Sequence, residues 1–512
     1  MNPSLHSLTL GEILEEHRRA RPQQLAVVDG AVRLSYPELA DRVQRLTNAL
    51  EAAGVGPGER VLWLAQNHAG VLESIIACGQ LGAMFCPANW RQSATELAFV
   101  IDDLAPRLVV WQDAEIGDAV RAARELASHR PAQWLALDGP GGWDDFIAAA
   151  PATPRKRTPD AQDPVLVIYT AAFDGRPNGA MLSQRAITWQ DLALIDIQDL
   201  DMHTRFLNSG PLFHVGTLMM TLAVFHIGGT NLFIRRTDTA DIARMIDAER
   251  CTYAFLMQST CAELAALNRD GRLDFSCLRS ASVSPEWDAM VQVQEARNLF
   301  GYGQTELMGP VAWSYYGWGH NLGRNGRSGP VAQVRILDDE GNELPAGEVG
   351  EICVRGPTVM NGYWRRPELN GLRQRGGWHR TNDLGRREAD GSLSFVGPKA
   401  RMIKSGAENI YPAEVEACLR RHPAVADAGV IGVPDATWVQ SVKAVVVLKP
   451  GARVGEGELI EHCRSQIASY KKPRQVVFVD ALPRTAQGAV DHAALDAAHG
   501  GGGYPGGATR GA

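Results

Sequence analysis

The sequence lacks most of the features that would place it in a membrane, on nucleic acid or outside the cell. Its 8 cysteines are scattered (Cys78, Cys86, Cys251, Cys261, Cys277, Cys353, Cys418, Cys463), with no CxxC pair and no ladder of short spacings. That argues against zinc and against a disulfide framework. No apolar stretch approaches the ~18 to 20 residues of a membrane span, and the N-terminal MNPSLHSLTLGEILEEHRRARP has no basic start leading into an apolar run. Basic blocks are missing too: 51 Lys and Arg are mixed among 58 Asp and Glu, for a net charge of −7, so no nucleic-acid footprint is expected. No internal repeat is evident. The expectation is a soluble, cytoplasmic protein with small-molecule ligands.

What is present is a chain of 512 residues, 45% hydrophobic, too long for one ordinary domain. From Leu10 to about Arg155, helical patterns such as YPELADRVQRLTNALEAAG alternate with short apolar runs such as RVLWLAQN. The runs lack polar alternation, as expected of parallel strands covered on both faces. A proline-rich, charged connection (Pro151 to Pro164) leads to VLVIYT and a second αβ stretch reaching about Gly309. Between Arg327 and Val396 the texture changes to short strands and turns. After Gly397 comes a compact α+β unit of about 100 residues. The expected fold class is α/β: a large N-terminal domain (1–396) of αβ sheets plus a β-rich subdomain, a hinge (397–401), and a small mobile α+β C-terminal domain (402–498). Residues 499–512, rich in glycine, are expected to be disordered.

The motifs are more specific than the pattern. VLVIYT runs into AAFDGRPNGAMLS, a glycine-containing loop after a buried strand, ending before a helix that begins near Ser183; such loops let backbone N–H groups approach phosphate. In order, FGYGQTE (Phe300 to Glu306), GEVGEICVRGPTVMNGYWRRPE (Gly347 to Glu368), GWHRTNDLG (Gly377 to Gly385) and SGAENIYPAEVE (Ser405 to Glu416) follow. Together, from about Leu8 to Leu495, the chain resembles the adenylate-forming superfamily, and most closely its fatty-acyl and aryl-CoA ligases. That resemblance implies a carboxylate attacking the α-phosphate of ATP, then rotation of the small domain and attack by CoA. It implies roles for Glu306 (Mg²⁺), Thr305 (α-phosphate), Tyr302 (adenine), Asp383 (ribose hydroxyls) and His214 (mouth of the acyl pocket). It also implies a phosphate loop through Thr170, Gly175 and Gly179, and a CoA-side loop at Ser405 and Gly406. Homodimers are common among such enzymes.

The departures fall on the nucleotide side. Where relatives read approximately TSGTTGxPKG, this chain reads TAAFDGRPNG: Ala171, Ala172 and Phe173 remove hydroxyls or backbone freedom, Asp174 brings a carboxylate, and Asn178 replaces the cation. A like charge at contact distance costs about 1 to 4 kcal/mol depending on screening. Pro398 and Arg401 stand where GRxKD has arginine and an acidic hinge residue, and Ala407 where SGGEN has glycine. Ala489 stands where PRTxxGK has its lysine, and no lysine follows Lys472. Loss of one positioned cation typically lowers rate by a factor of order 10² to 10³. Lys399 and Lys404 are surrogates on sequence proximity alone, with surface positions the expectation for both. The expected ligands are an acyl substrate with CoA or an acyl-CoA, while ATP or AMP with Mg²⁺ is implied by the family and opposed by these residues. Three readings follow: a synthetase homologue with impaired or lost adenylation, an enzyme processing acyl-CoA without ATP, or an acyl-CoA-binding pseudoenzyme. For the second, Cys86, His214, Asp174 and Glu306 are candidate groups.

Overall fold

The computed structural model describes residues 8–154, 159–170, 177–294, 301–314, 325–399, 401–406, 408–485 and 490–504. Two sheets of mainly parallel strands form the large part. The first has seven strands, in the order Gly362–Tyr363, Asn178–Ser183, Pro164–Thr170, Met84–Pro87, Arg60–Leu64, Leu108–Trp111 and Gln133–Ala136. Its central strands are parallel, and Asn178–Ser183 runs antiparallel beside Pro164–Thr170. In the second sheet Tyr253–Ala254, Arg205–Asn208, Thr230–Phe233 and Leu25–Asp29 are parallel, and Val32–Ser35 closes one edge antiparallel. Apolar side chains cover both faces of the first sheet, Val61, Trp63 and Phe85 in one core and Leu62, Leu64 and Cys86 in another. That is why these strands read as unbroken apolar runs.

Helix boundaries follow local chemistry. The helix Tyr36–Ala52 carries proline in its first turn and a capping box between Ser35 and Glu38. It is followed by Gly54 at φ +82°, a conformation glycine adopts without strain. The β-rich region is an antiparallel sheet of Gln333–Leu337, Gly350–Arg355, Trp378–Arg387 and Leu393–Pro398, with Gln374–Arg375 at one edge.

The small part packs a separate core, including Ile403, Val415, Val430, Ala444 and Leu459. Helices Pro412–Arg420 and Glu456–Gln466 cover a sheet of Glu408–Ile410, Ile403–Ser405, Val439–Leu448 and Val425–Asp435, with Gln475–Phe478 parallel to Val439–Leu448. The glycine-rich end departs from the expectation of disorder as far as Tyr504. The Tyr504 hydroxyl accepts from the Gly432 N–H at 2.9 Å and donates to Asp496 Oδ1 at 2.8 Å, which offsets the ordering entropy of the glycines. Residues 505–512 lie outside the described residues. Among the described residues no helix is long and apolar enough to cross a membrane.

Candidate functional site

The two parts meet over a cavity of about 680 Å³, within the usual range for small-molecule sites. Its walls bring together Thr170, His214, Tyr302, Thr305, Glu306 and Asp383 with residues of the small part, Glu408, Asn409, Tyr411, Tyr470 and Lys471. Phe213, Met219 and Trp313 supply apolar surface on the large-part side.

Strand Gly301–Gln304 presents Tyr302, whose hydroxyl donates to Asp383 Oδ2 at 2.9 Å. The Gln304 amide donates to the same oxygen at 2.6 Å. Asp383 lies in the strand Trp378–Arg387, and burial raises its carboxyl to about 6 against those two hydrogen bonds. Glu306 sits in a single helical turn, Thr305–Leu307, directly after the strand Gly301–Gln304, and the Tyr363 hydroxyl donates to its Oε1 at 2.8 Å. Burial also raises the Glu306 carboxyl, with the Tyr363 bond acting against it. Two carboxyls held out of water beside a cavity are a functional-site signature.

His214 caps the helix Val215–Ile227, with its Nε2 3.3 Å from Glu408 Oε1. The same oxygen is 3.4 Å from Arg91 Nη1. Burial opposes the charge on Glu408, but His214, Arg91 and Lys404 outweigh it and hold the carboxyl below its ordinary value. Ser405 and Gly406 do not line the cavity. Gly406, at φ +59°, turns the chain so that Glu408 and Asn409 do. The SGAEN motif was legible in sequence, but the meeting of Glu408 with a histidine 194 positions away was not.

The phosphate-loop positions divide. Thr170 lines the cavity and donates to the Asn178 carbonyl at 3.3 Å. Gly179 lies within a strand rather than in a loop that ends at a helix: Asn178–Ser183 separates the two, and a Cβ on Gly179 would come 2.8 Å from Val167 Cγ1. The loop therefore does not feed directly into the N-terminus of the helix Gln184–Ile197, which Ser183 caps. Asn178 is buried, and its Oδ1 accepts from Arg366 Nε at 3.1 Å, while Arg366 Nη2 pairs with Asp103 at 2.7 Å. Gly175, with Asp174 and Phe173, lies outside the described residues, as do Ala407 and Ala489.

Neither surrogate lysine lines the cavity. Lys399 Nζ reaches Glu351 at 3.0 Å and Asp339 at 3.1 Å, and Lys404 Nζ donates to Asn409 at 2.8 Å. Cys86 is fully buried, and burial pushes its thiol well above the ordinary range. It is removed as a candidate nucleophile, because the thiolate is the reactive form. Sequence reading also missed Lys471. This buried ammonium joins Glu96 of the large part at 2.7 Å to Glu414 of the small part at 2.6 Å.

A large α/β part, a small α+β part and a cavity walled by both define the architecture of an adenylate-forming enzyme. The AMP-binding enzyme family model matches residues 14–364, and that for the AMP-binding enzyme C-terminal domain matches 414–489. The indoleacetate–CoA ligase of Aromatoleum aromaticum is 34% identical over 497 residues, covering 94% of this chain and 96% of its own. The feruloyl-CoA synthase of an Amycolatopsis species is 36% identical over 484 residues, covering 92% and 96%. The amide bond synthetase McbA from Marinactinospora thermotolerans superposes with a TM-score of 0.81 at 25% identity, over 96% of this chain and 100% of that one. The chain belongs to the AMP-binding enzyme family, the adenylate-forming superfamily, and is a homologue of its acyl- and aryl-CoA ligases.

Proposed function

We infer that this chain binds an aromatic or fatty acid, or its CoA thioester, in the cavity between its two parts, and that ATP-dependent formation of the acyl-adenylate is weakened or lost. One electrostatic observation carries the reading. Among the described residues lining the cavity, the carboxylates of Glu306, Asp383 and Glu408 are accompanied by one ammonium, Lys471, and Glu96 and Glu414 already share it. Phosphoryl chemistry depends on cations and fixed donors placed where charge develops. The sequence supports the same direction: Asp174 in the loop, Asn178 committed to Arg366, and alanine at 489. Glu306 is the residue that would hold Mg²⁺, which binds through one or two carboxylates together with substrate phosphates. The relatives acting on indoleacetate and ferulate direct the choice of acids toward aromatic ones.

Calorimetry tests this reading. With ATP·Mg²⁺ and with an aromatic acyl-CoA titrated separately, binding of the thioester and weak or absent binding of the nucleotide are expected. Tight nucleotide binding, followed by pyrophosphate release on adding an acid, would overturn it.

A second reading, thioester chemistry without nucleotide, rests on the His214–Glu408 contact. Glu408 accepts at Nε2 and so favours the tautomer with its proton there; among the described residues none bonds Nδ1. A ring nitrogen free to accept a proton, at the mouth of an acyl cavity, is a general base for water. Water would add to the thioester carbonyl, His214 would take its proton, and the same proton would pass to the departing CoA sulfur. Release of CoA thiol from an aromatic acyl-CoA with no nucleotide present would support this reading, and binding without release would favour a pseudoenzyme.

A further inference from the structure

The connection between the two parts is held at both of its ends. Strand Leu393–Pro398 belongs to a sheet of the large part and Ile403–Ser405 to that of the small part. On the first side the Lys399 N–H donates to the Asn382 carbonyl at 2.8 Å, and the Lys399 ammonium reaches Glu351 and Asp339. All of these partners belong to the large part. On the other side the Arg401 guanidinium pairs with Asp496 and lies over the Tyr504 ring, 4.3 Å from its centroid. Asp496 belongs to the last helix, His492–His499, and Tyr504 to the glycine-rich segment that follows it. Only residue 400 separates the two anchors.

The segment that grips Arg401 is itself fixed to the small part. Besides the Tyr504 bonds, the Gly502 N–H donates to the Gly432 carbonyl at 2.9 Å, and the Gln440 amide donates to the Gly502 carbonyl at 2.5 Å. Lys443 Nζ donates to the His499 carbonyl at 2.9 Å. Gly500 and Gly503, at φ +77° and +71°, allow the turns that bring Tyr504 back over the sheet. Elsewhere the parts touch through polar contacts: Glu408 with His214 and Arg91, Lys471 with Glu96, Ser93 with the Gln466 carbonyl, and Asn89 with Tyr470. Relative motion is the default across an interface of that character. The orientation of the small part then depends on what restrains the connection.

We propose that the segment ending at Tyr504 is a strap that fixes Arg401, and through it the orientation in which Glu408 stands beside His214. Arg401, Asp496 and Tyr504 are positioning residues in this account, and the strap acts in the same way whichever reaction the cavity supports. Without the ring and the carboxylate, the Arg401 side chain loses both of these contacts with the small part, and the backbone at residue 401 gains freedom to turn.

Limited trypsin digestion of the full-length protein reads this directly, because the connection carries cleavable bonds after Lys399, Arg401 and Lys404. In the native chain these bonds are expected to be cut slowly. Tyr504→Ala, or a chain ending at Gly500, is expected to be cut after Arg401 about tenfold faster, as loss of a partly desolvated cation–π contact raises the opened population that the protease samples. Tyr504→Phe keeps the ring but removes the hydroxyl that joins the Gly432 N–H and Asp496, so a rate between those of the native chain and Tyr504→Ala is expected, with cleavage still confined to the connection, a pattern that a general loosening of the small part's core would not reproduce. Should Tyr504→Ala fold poorly, Asp496→Asn is the second variant, with acceleration of a few fold expected at the same bond. Cleavage of Tyr504→Ala at the native rate would overturn the proposal. So would new cleavages spread through residues 410–480 instead of at the connection.

Discussion

Replacing Lys471 with methionine keeps the length of the side chain and removes the ammonium that bridges the two parts. In the native chain that ammonium is buried between Glu96 Oε1 at 2.7 Å and Glu414 Oε1 at 2.6 Å. Burial works against the charge on Lys471, but the two carboxylates outweigh it and hold the ammonium's pKa up; burial raises the Glu414 carboxyl, and the ammonium opposes that rise. Removing one partner of a buried pair leaves the other uncompensated and costs about 3 to 5 kcal/mol. Glu414 is the residue left exposed to that penalty, since its Oε2 is already buried with no hydrogen-bond partner among the described residues. Glu96 is less affected, because its Oε2 also accepts from Ser93 in a capping box. Hydrogen exchange on strands Val425–Asp435 and Val439–Leu448 reads the local stability of the small part. Protection there is expected to fall by about 10² to 5 × 10³, the equilibrium equivalent of that penalty. The loss should shrink as pH falls and Glu414 takes up a proton. Adding Glu414→Leu to Lys471→Met should restore much of the protection, because both partners are then apolar. A fall of less than about tenfold in the single variant would refute the reasoning.

Burial raises the Asp191 carboxyl to about 6 from 3.8, with His226, 3.2 Å away, acting against the shift. Between those values the folded chain binds a proton that the unfolded chain does not, so stability declines as pH rises from 4 to 6, by about 3 kcal/mol if fully expressed. Urea midpoints measured across that range should show the slope in the native protein and its loss in Asp191→Asn. For Asp383 the sign concerns a ligand: hydroxyl donors bind the ionised carboxylate, so affinity for adenosine nucleotides, whatever its absolute level, should rise with pH through about 6 and be flat in Asp383→Asn, as calorimetry would show. Glu408→Gln removes the negative partner of His214 and Arg91, and any nucleotide-independent thioester hydrolysis should fall by about 10² in initial rate.

Much of the fold was legible because the large part's strands are covered on both faces and read as unbroken apolar runs. The order of motifs placed Tyr302, Thr305, Glu306, Asp383 and His214, and the structure gathers all five around one cavity. Contacts that join distant segments were not legible. Nothing in ASYKKP tells that Lys471 is buried between two glutamates, one of them 375 positions earlier in the chain. Asn178 was readable as a lost cation, yet not as the acceptor that, with Asp103, holds Arg366. Glycine content suggested disorder for the chain end, whereas one tyrosine finding a backbone donor and a carboxylate orders it through residue 504. Composition reports average ordering entropy and says nothing of a single well-placed side chain.

The central claim concerns dependence on ATP, and pyrophosphate release tests it most directly. With ATP·Mg²⁺, CoA and a panel of aromatic acids including indoleacetate and ferulate, the account predicts release at about 10⁻² to 10⁻¹ s⁻¹ or slower, a factor of order 10² to 10³ below a typical turnover near 10 s⁻¹. Release near 10 s⁻¹ with any of these acids, coupled to formation of the CoA thioester, would contradict it.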